Sequence, residues 1–488
     1  MDFITRRRFL EQSLLTMTAG VGAAALSATA ANKASAASRP NRSLGANDRI
    51  RIALIGVNGR GMDHLNGYVD KEGVEIVAIC DPDPKAIGKA QAAVEKKGKP
   101  KPEGFQDIRK LLEMKDLDAV SIATPNHWHT LAALWAMQAG KDVYVEKPVS
   151  HNVSEGRRLV QAAAKYDRIC QAGTQSRSHK AMQEAMAYIH DGKIGKVTLA
   201  RALCYKPRNS IGKVDGPQPI PAGIDYDLWL GPAPQKPLMR KHLHYDWHWQ
   251  WDYGNGDLGN QGIHQMDIAR WALNKPGLPL SAMALGGRFG YIDDGETPNT
   301  QMALYDYGDC HLIFEVRGLK TEPFTGIGIG NIIYGSEGYV AIPADYSRAA
   351  AYDKDNKKVQ DFAGAGDHFG NFIAAVRSHK ASAQNAPIEE GHISSALCHL
   401  GNISYRMGTM QPFSKQSQSF GDDKEAVETF ERMTQHLKDN GVALMETNYH
   451  LGPTLKLDPH KERFTNNKQA NTMLTREYRT PFVVPEKL

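Results

Sequence analysis

Between residues 49 and 172, short apolar runs alternate with amphipathic stretches, a pattern typical of successive β–α units. The apolar runs contain few charges, which favours parallel strands covered by helices on both faces. We therefore predict a doubly wound parallel sheet in this part of the chain. The predicted strands cover 50–55, 74–80, 117–123, 142–148 and 169–172, and the predicted helices cover 62–70, 84–95, 108–114, 129–138 and 154–166.

From residue 196 to about 344, the chain shows strand-like runs that are separated by turn residues. A Pro- and Gly-rich insertion over 206–252 interrupts these runs. This pattern predicts a second α/β domain with a large, mostly antiparallel open sheet. Its predicted strands cover 197–203, 281–289, 301–305, 310–316, 331–334 and 339–342, and the helices that flank them cover 179–191, 263–272, 368–379, 388–407 and 426–440.

The N-terminus has the features of an export signal. Its segment TRRRFL, residues 5–10, resembles a twin-arginine signal, and a weakly apolar stretch and the small residues Ala34–Ala36 follow. A membrane anchor is the alternative, but the apolar stretch is short and weakly hydrophobic, and no cysteine near the cleavage site offers a lipid attachment point. We predict a signal peptide over 1–36, a linker over 37–48 and an exported, periplasmic protein without a membrane anchor.

Composition excludes several classes of protein. The chain has 488 residues, of which 41% are hydrophobic and 23% charged, as in ordinary globular proteins of more than one domain. Its net charge of +5 includes an excess of two basic groups in residues 1–36, so no basic surface for nucleic acid is predicted. The five cysteines are scattered without a C-x-x-C pair, which argues against a disulfide framework or a zinc site.

A glycine-rich turn after the first strand predicts dinucleotide binding. The turn 56–61 has the spacing G-x-x-G-x-G, a variant of the G-x-G-x-x-G fingerprint with Asn58 at the second glycine position. Asp81 ends the next strand, 20 residues after Gly61, where an acid can bind the adenosine ribose and disfavour a 2′-phosphate. A plain strand–helix turn is the alternative. We expect NAD, with NADP less favoured, and cofactor contacts from Gly56, Asn58, Gly59, Arg60, Gly61 and Asp81.

Further polar residues follow the later strands of the same sheet. The third strand ends in TPNHWH, residues 124–129, and the fourth ends in Glu146-Lys147-Pro148. Because the carboxyl ends of parallel strands meet at one crevice, these residues are expected to face the dinucleotide. The predicted cofactor contacts there are Thr124, Pro125, Asn126, His129, Glu146 and Lys147.

These motifs, together with CDPD at residues 80–83 and NQGIHQMD at 260–267, resemble the glucose–fructose oxidoreductase / inositol dehydrogenase (Gfo/Idh/MocA) family, in a twin-arginine-exported branch. The resemblance covers most of residues 48–410. It implies a Rossmann domain over 49–172, a substrate and oligomerisation domain over 173–415, and NAD(P)-linked chemistry on sugars or cyclitols. Residues 416–488 are then a C-terminal helix and an extended tail, and the open sheet implies a homo-oligomer, either a dimer or a tetramer.

The resemblance also assigns the catalytic residues. Lys147 corresponds to the lysine beside the nicotinamide and the reacting hydroxyl, and His264 corresponds to the general acid/base. The family usually has an aspartate four residues before that histidine, whereas this chain has Asn260, which cannot take a proton. A lysine can steady a developing alkoxide and a histidine can take the proton. The alternatives are an ion-paired or surface lysine and a buried core histidine.

Four further features remain open on sequence alone. Arg177 follows a strand end, and it is either a substrate contact or an exposed turn residue. Asp267 shares a helix face with His264. It has three possible roles: it orients the His264 ring, it contacts substrate, or it is a surface acid. The alternating Trp247, Trp249 and Trp251 stack on a sugar or anchor the insertion. His242, His244 and His248 lack the acid or cysteine partners of a metal site, so no metal is predicted.

The expected activity is hydride transfer from a ring hydroxyl of a sugar, glycoside or cyclitol by an exported NAD(P)-dependent oxidoreductase. Free NAD is scarce outside the cytoplasm, so we expect the nucleotide to be tightly bound. One alternative is an NAD-dependent glycosidase that works by transient oxidation and elimination, although the family's glycosidase branch departs from the Glu-Lys-Pro motif that Lys147 retains. The other is a non-catalytic sugar-binding protein, which Asn260 favours.

Overall fold

The computed structural model describes residues 48–413, 420–465 and 467–488. The predicted signal peptide and all but the last residue of the predicted linker lie outside these ranges, so export stays a prediction. Among the described residues, no helix combines the length and the apolar character needed to cross a bilayer.

The N-terminal sheet is parallel throughout, because every crossover between its strands passes over one of its faces. Its strands are β1 (Ile50–Ile55), β2 (Val74–Cys80), β3 (Glu103–Phe105), β4 (Ala119–Ile122), β5 (Asp142–Val145) and β6 (Cys170–Ala172). Their spatial order is β3-β2-β1-β4-β5-β6, so the chain reverses direction across the sheet between β1 and β4. Ligands of doubly wound sheets bind at such a switch point, and the predicted fold class is confirmed for this part.

Helices cover this sheet and deliver the glycine-rich turn and the strand ends. They are α1 (Arg60–Tyr68), α2 (Pro84–Lys96), α3 (Ile108–Leu111), α4 (Asn126–Gln138) and α5 (Val153–Lys165), whereas α6 (Lys180–His190), which follows them in the chain, packs against the second sheet. Helix α4 begins three residues earlier than predicted, because Pro125 has the fixed φ of −59° that suits the residue before a helix. Almost every side chain of α4 is buried, so its start has no amphipathic signal.

The second sheet has twelve strands. Its longest run has the order β14-β13-β12-β11-β7-β10-β9-β8-β16-β15. The pair β7–β10 is parallel, and the other neighbours are antiparallel, as predicted for most of this sheet. The strands are β7 (Val197–Tyr205), β8 (Ser281–Gly287), β9 (Thr300–Asp306), β10 (His311–Arg317), β11 (Ile329–Gly335), β12 (Gly338–Pro343), β13 (Arg348–Asp353), β14 (Lys358–Ala363), β15 (Thr409–Pro412), β16 (Asn448–Leu451), β17 (Leu455–Asp458) and β18 (Arg463–Phe464).

Six strands of this sheet escaped prediction, as did the three-residue β3 of the first sheet, and composition and length explain why. Strand β13 is built on three alanines, which are depleted in strands, and β14 has mostly exposed, polar residues. Strands β15 to β18 have only two to four residues each. Sheet formation by these segments depends on neighbours that the local sequence does not reveal.

Helices of the C-terminal half pack against both sheets. They are α7 (Tyr226–Leu230), α8 (Gly256–Gly259), α9 (Gly262–Ala272), α10 (His368–Ser378), α11 (Ile388–Arg406), α12 (Lys424–Asp439) and α13 (Lys468–Thr472). Helix α10 places Phe372 and Val376 in the core of the first sheet, beside Tyr144. Near the C-terminus, Phe482 packs against Trp128, so this part of the tail covers its own chain.

Buried neutral histidines should make the stability of the fold depend on pH. Burial lowers the pKa of His127 and of His399 to about 3, and that of His368 to about 4. In the unfolded chain these rings have a pKa of about 6.5, so the unfolded state binds more protons at intermediate pH. The contribution of these neutral rings to the free energy of unfolding is therefore fully present above the pKa of the unfolded chain, and it is lost as the pH falls below that value. We expect urea unfolding to show a loss of roughly 2 kcal/mol per buried histidine between about pH 7 and pH 5.

The variant His399→Gln should reduce this pH dependence, because it removes one of the rings that must be held neutral. The exposed His460 provides the matched control, and His460→Gln should leave the dependence unchanged. Equal pH dependence of the wild type and His399→Gln would contradict the explanation.

Candidate functional site

A cavity of about 810 Å³ lies at the carboxyl ends of the strands of the parallel sheet. The insertion and the start of α9 complete its walls. Most of the predicted site residues line it, namely Gly56, Asn58, Gly59, Arg60, Asp81, Thr124, Pro125, Asn126, His129, Glu146, Lys147, Asn260 and His264. The topology therefore brings the two predicted catalytic residues into the same space as the glycine-rich turn.

The glycine-rich turn has the shape that a dinucleotide requires. Gly56 has a φ of +81°, and a Cβ there would lie 2.7 Å from the backbone nitrogen of Thr124. A Cβ on Gly61 would lie 1.8 Å from the carbonyl oxygen of Gly56, so Gly61 supports the turn from behind. A Cβ on Gly59 would meet no atom within 4 Å, which leaves open space beside the N-terminus of α1. An anionic pyrophosphate needs such a close approach to backbone at a helix N-terminus.

Asp81 connects the end of β2 to the turn. Its Oδ2 accepts a hydrogen bond from the backbone N–H of Val57 at 2.9 Å, and its Oδ1 accepts one from Asp83 at 3.0 Å. Burial raises the pKa of Asp81, and the two backbone donors oppose this shift. Each carboxylate oxygen keeps a second lone pair, so the predicted ribose contact remains compatible with this geometry.

Glu146 is a buried carboxylate that several donors share. Its Oε1 accepts hydrogen bonds from Arg60 Nε at 2.9 Å and from Gln175 Nε2 at 2.9 Å, and it lies 3.1 Å from His64 Nε2. Burial alone would raise the pKa of Glu146, but Arg60 and His64 outweigh burial and hold that pKa well below its usual range. Glu146 is therefore ionised, and it orients Arg60 rather than donating a proton.

Lys147 bridges the two halves of the site. Its Nζ donates a hydrogen bond to the backbone carbonyl of Asn260 at 2.9 Å. Burial lowers the pKa of Lys147, and Glu146 partly opposes this shift. The ammonium is thus held at the cavity wall by a neutral oxygen, and it has hydrogens left to donate to another group.

His264 is the third residue of α9 and lies half-buried at the same wall. Burial, assisted by the charge of Lys147, lowers the pKa of His264 to about 3, so the ring is neutral at neutral pH. Its Nδ1 has no hydrogen-bond partner in the part of the chain that the structure describes. A neutral imidazole keeps one unprotonated ring nitrogen, which is able to accept a proton from a hydroxyl group.

His129 positions the backbone around the site. Its Nδ1 lies 2.6 Å from the carbonyl oxygen of Pro148, and its Nε2 lies 2.7 Å from that of Thr124. The ring thereby connects the turn after β5 to the turn after β4. Burial lowers its pKa, so a neutral ring donates to one of the two carbonyls at a time.

The structure corrects the sequence reading of Arg177 and Asp267. The guanidinium of Arg177 donates two hydrogen bonds to the carboxylate of Asp267, both at 2.8 Å, and Ser394 Oγ donates a third at 2.7 Å. Both side chains are buried, and neither lines the cavity. The two charges neutralise each other. Arg177 lies in the turn after β6, Asp267 in α9 and Ser394 in α11, so these contacts join three parts of the fold rather than binding substrate.

The histidines and tryptophans of the insertion separate into different roles. Trp247 and His248 line the cavity with their rings stacked 3.6 Å apart, whereas Trp249 is buried below them and Trp251 packs against Tyr405. His242, His244 and His248 do not converge, and no cluster of three metal-binding side chains occurs among the described residues.

Several lining residues were not assigned a role from the sequence. Lys206 follows β7 directly, so its position at a strand end was an available signal. Gln175 likewise follows β6 and was visible only as part of a polar strand end. Tyr346 lies in a turn with a φ of 52°, far from any motif, and no local signal places it 5.9 Å from the ring of His264.

Replacement of Gly61 should damage the turn and with it the fold. Because the added Cβ of Gly61→Ala would meet a backbone oxygen, the turn must shift, and we expect a loss of about 1–3 kcal/mol in the free energy of unfolding. Gly88 is the matched control, since it lies exposed within α2 and has open space around it. Gly88→Ala should stabilise by about 0.5–1 kcal/mol. Equal effects of the two variants in urea unfolding would contradict this view of the turn.

Comparison with known proteins agrees with the fold. Residues 50–174 match the oxidoreductase family with an NAD-binding Rossmann fold, and residues 196–440 match the C-terminal α/β domain of that family. Among solved structures, the WlbA dehydrogenase from Bordetella pertussis, in complex with NADH and UDP-GlcNAcA, has a TM-score of 0.55 and 20% identity and covers 73% of this chain and 97% of its own. The UDP-N-acetylglucosamine 3-dehydrogenase GnnA from Acidithiobacillus ferrooxidans has a TM-score of 0.52 and 18% identity, with coverage of 73% and 97%.

Curated relatives match over shorter stretches. A glycosyl hydrolase family 109 protein from Saccharopolyspora erythraea is 35% identical over 201 residues, which is 39% of this chain and 44% of the relative. A second one, from Shewanella sp. (strain ANA-3), is 36% identical over 178 residues, or 35% of this chain and 39% of the relative. The chain thus spans less than half the length of either relative. The two family matches together cover most of the chain, which therefore belongs to the Gfo/Idh/MocA family of oxidoreductases.

Proposed function

We propose that this protein is an exported, NAD-dependent oxidoreductase that acts on a ring hydroxyl of a sugar, glycoside or cyclitol. The observation that carries the proposal is the convergence of Lys147 and a neutral His264 in the cavity that the glycine-rich turn lines. Export rests on the arginine-containing segment at residues 5–10. The sugar-like substrate class is in keeping with the nucleotide-sugar dehydrogenases among the structural neighbours.

The residues of the first sheet fit a dinucleotide. The open space at Gly59 and the N-terminus of α1 suit the pyrophosphate, and the carboxylate of Asp81 suits a ribose with free hydroxyls rather than a 2′-phosphate. When bound, NAD supplies a nicotinamide ring that accepts a hydride from the carbon bearing the hydroxyl. The preference for NAD over NADP thus rests on Asp81.

Proton transfer is the task of residues at the other end of the cavity. His264 is neutral, so it accepts the hydroxyl proton as the alcohol becomes a carbonyl. The ammonium of Lys147 steadies the negative charge that develops on the same oxygen. Asn260 contributes by holding Lys147 through its backbone carbonyl, a role that needs no acidic side chain.

The insertion supports tight retention of the cofactor. It bonds to the first domain beside Asp81 through the backbone N–H of Asp225, which donates to the carbonyl of Pro82 at 3.2 Å. Gln106 Nε2 donates to the carbonyl of Gly223 at 3.2 Å, and His244 Nε2 lies 3.2 Å from Asp83 Oδ2. His244 and its neighbour Tyr245 also line the cavity. These contacts hold the insertion across the end of the cavity where the adenosine is expected.

A second candidate is a glycosidase that returns the hydride in each cycle. It is favoured by the names of the curated relatives, which are glycosyl hydrolase family 109 proteins. Oxidation at C3 of the sugar would acidify the C2 proton, elimination would break the glycosidic bond, and addition of water and return of the hydride would give net hydrolysis. The intact Lys147 of the Glu-Lys-Pro motif favours the dehydrogenase. Aglycone release from a synthetic glycoside without steady NADH formation would reverse this ranking.

Loss of either catalytic side chain should slow the reduction of the bound nicotinamide by substrate. We expect Lys147→Met to slow this step by about 10²–10³-fold. We expect His264→Asn to slow it by about 10²–10⁴-fold. The exposed Lys101 provides the control, and Lys101→Met should react like the wild type. Stopped-flow absorbance of the nicotinamide under single-turnover conditions measures the step. Undiminished rates in both catalytic variants would contradict the roles given to Lys147 and His264, whereas no reduction by any sugar in the wild type would favour the non-catalytic alternative.

Loosening the insertion should release the cofactor faster. His244→Ala removes the contact with Asp83, and we expect NAD to dissociate about ten-fold faster, as for the loss of a hydrogen bond to a charged group. His242→Ala is the matched control, because His242 is exposed in the same insertion and lies outside the cavity lining. It should retain the nucleotide like the wild type. Nucleotide retained after gel filtration, assayed over time, gives the release rate. Equal retention by the two variants would contradict the proposed role of the insertion.

A further inference from the structure

The reacting end of the cavity contains a second ammonium group besides that of Lys147. Lys206 Nζ donates a hydrogen bond to Gln261 Oε1 at 3.0 Å, next in sequence to Asn260, whose carbonyl accepts from Lys147. Both lysines line the cavity, and both rest on neutral amide oxygens. Within the described ranges, no carboxylate oxygen lies within salt-bridge distance of either ammonium.

The nearby carboxylates are already engaged. Glu146 accepts hydrogen bonds from Arg60 and Gln175. Asp257 accepts two hydrogen bonds from Arg208, at 2.6 and 2.7 Å, so the cation two residues after Lys206 is fully paired. These carboxylates act on Lys147 only at longer range. The charge of Lys206 is therefore left for a group that enters the cavity.

Lys206 is also held in place for such a role. Its backbone N–H donates to the carbonyl of Arg317 at 3.0 Å, which extends the pairing of β7 with β10 by one residue. Gln261, which accepts from its ammonium, also donates to the hydroxyl of Tyr346 at 3.4 Å. Gln265 donates to the same hydroxyl at 2.6 Å. The backbone of Lys206 is thus held by the sheet, and its ammonium is held by a polar network next to His264.

A purely structural role for Lys206 explains less. A hydrogen bond to a glutamine amide satisfies one of three ammonium donors, and it does not neutralise a half-buried positive charge. Arg208, which has a similar position after β7, shows how this fold neutralises a cation that serves structure. An oxidised nicotinamide would add further positive charge to this end of the cavity. An anionic group on the substrate would balance these charges.

We propose that Lys206 binds an anionic substituent of the sugar, such as a uronic acid carboxylate or a sulfate ester, and so selects anionic over neutral sugars. This inference rests on the proposed function, because it names the substrate class of the same site. Lys147 serves the reacting hydroxyl and Lys206 serves the charged group, so the two cations orient the ring between them.

The test uses the mature protein with its bound nucleotide and matched pairs of sugars. Methyl glucuronide is compared with methyl glucoside, galacturonide with galactoside, and glucose 6-sulfate with glucose, by the rate of nicotinamide reduction at limiting sugar concentration. We expect the wild type to prefer the anionic member of at least one pair by about ten-fold or more, as expected for a charge-assisted contact. Preference for the uronides or for the sulfate distinguishes the two sources of negative charge.

Variants identify the residue responsible. Lys206→Met should remove the preference by slowing the anionic sugar alone, and Lys206→Arg should retain the preference. Lys213→Met, at an exposed position of the same insertion, is the control and should match the wild type. Equal rates within every pair for the wild type, or an equal loss for both members in Lys206→Met, would overturn this inference and leave the proposed function intact. Absence of reduction by every sugar would overturn both.

Discussion

The hydrogen bond from Lys147 to the carbonyl of Asn260 is the contact on which the site depends. It joins residues 113 positions apart, one at the end of β5 and the other just before α9. A hydrogen bond from a charged donor contributes about 1.5–3 kcal/mol, enough to hold a long side chain in one place. Because His264 follows Asn260 closely on the same segment, the bond also ties the two groups with proposed catalytic roles to the same wall of the cavity. Substitution of aspartate by asparagine leaves this bond intact, since the backbone accepts it.

Burial and charge give the groups around this bond different tasks. Arg60 and His64 keep Glu146 ionised, so it holds the glycine-rich turn and the turn after β5 together. Burial keeps His264 neutral, as its proposed role as proton acceptor requires, while Lys147 and Lys206 place two ammonium groups at the cavity wall. The crevice thus contains an ion-paired carboxylate, a neutral imidazole and two ammonium groups, each set by its immediate neighbours.

The sequence predicted the first sheet well because its functional residues follow strands. Topology places the ends of parallel strands at one edge, so Gly56, Asp81 and Lys147 could be assigned to one crevice without coordinates. Contacts between distant segments carried no such signal. Arg177 and Asp267 looked like substrate ligands because each was read without the other, 90 residues away. Tyr346 and the alanine-rich β13 depend on packing that no local pattern encodes.

The most direct test of the proposed chemistry uses mature protein purified without added cofactor. One portion is denatured and the released nucleotide is assayed, and a native portion is titrated with sugars and glycosides while absorbance at the reduced-nicotinamide band is followed. We expect about one NAD per chain and its reduction by one class of sugar, as a single dinucleotide site predicts. Protein that contains no nucleotide and binds added NAD weakly would contradict the dinucleotide site and the hydride transfer that depends on it.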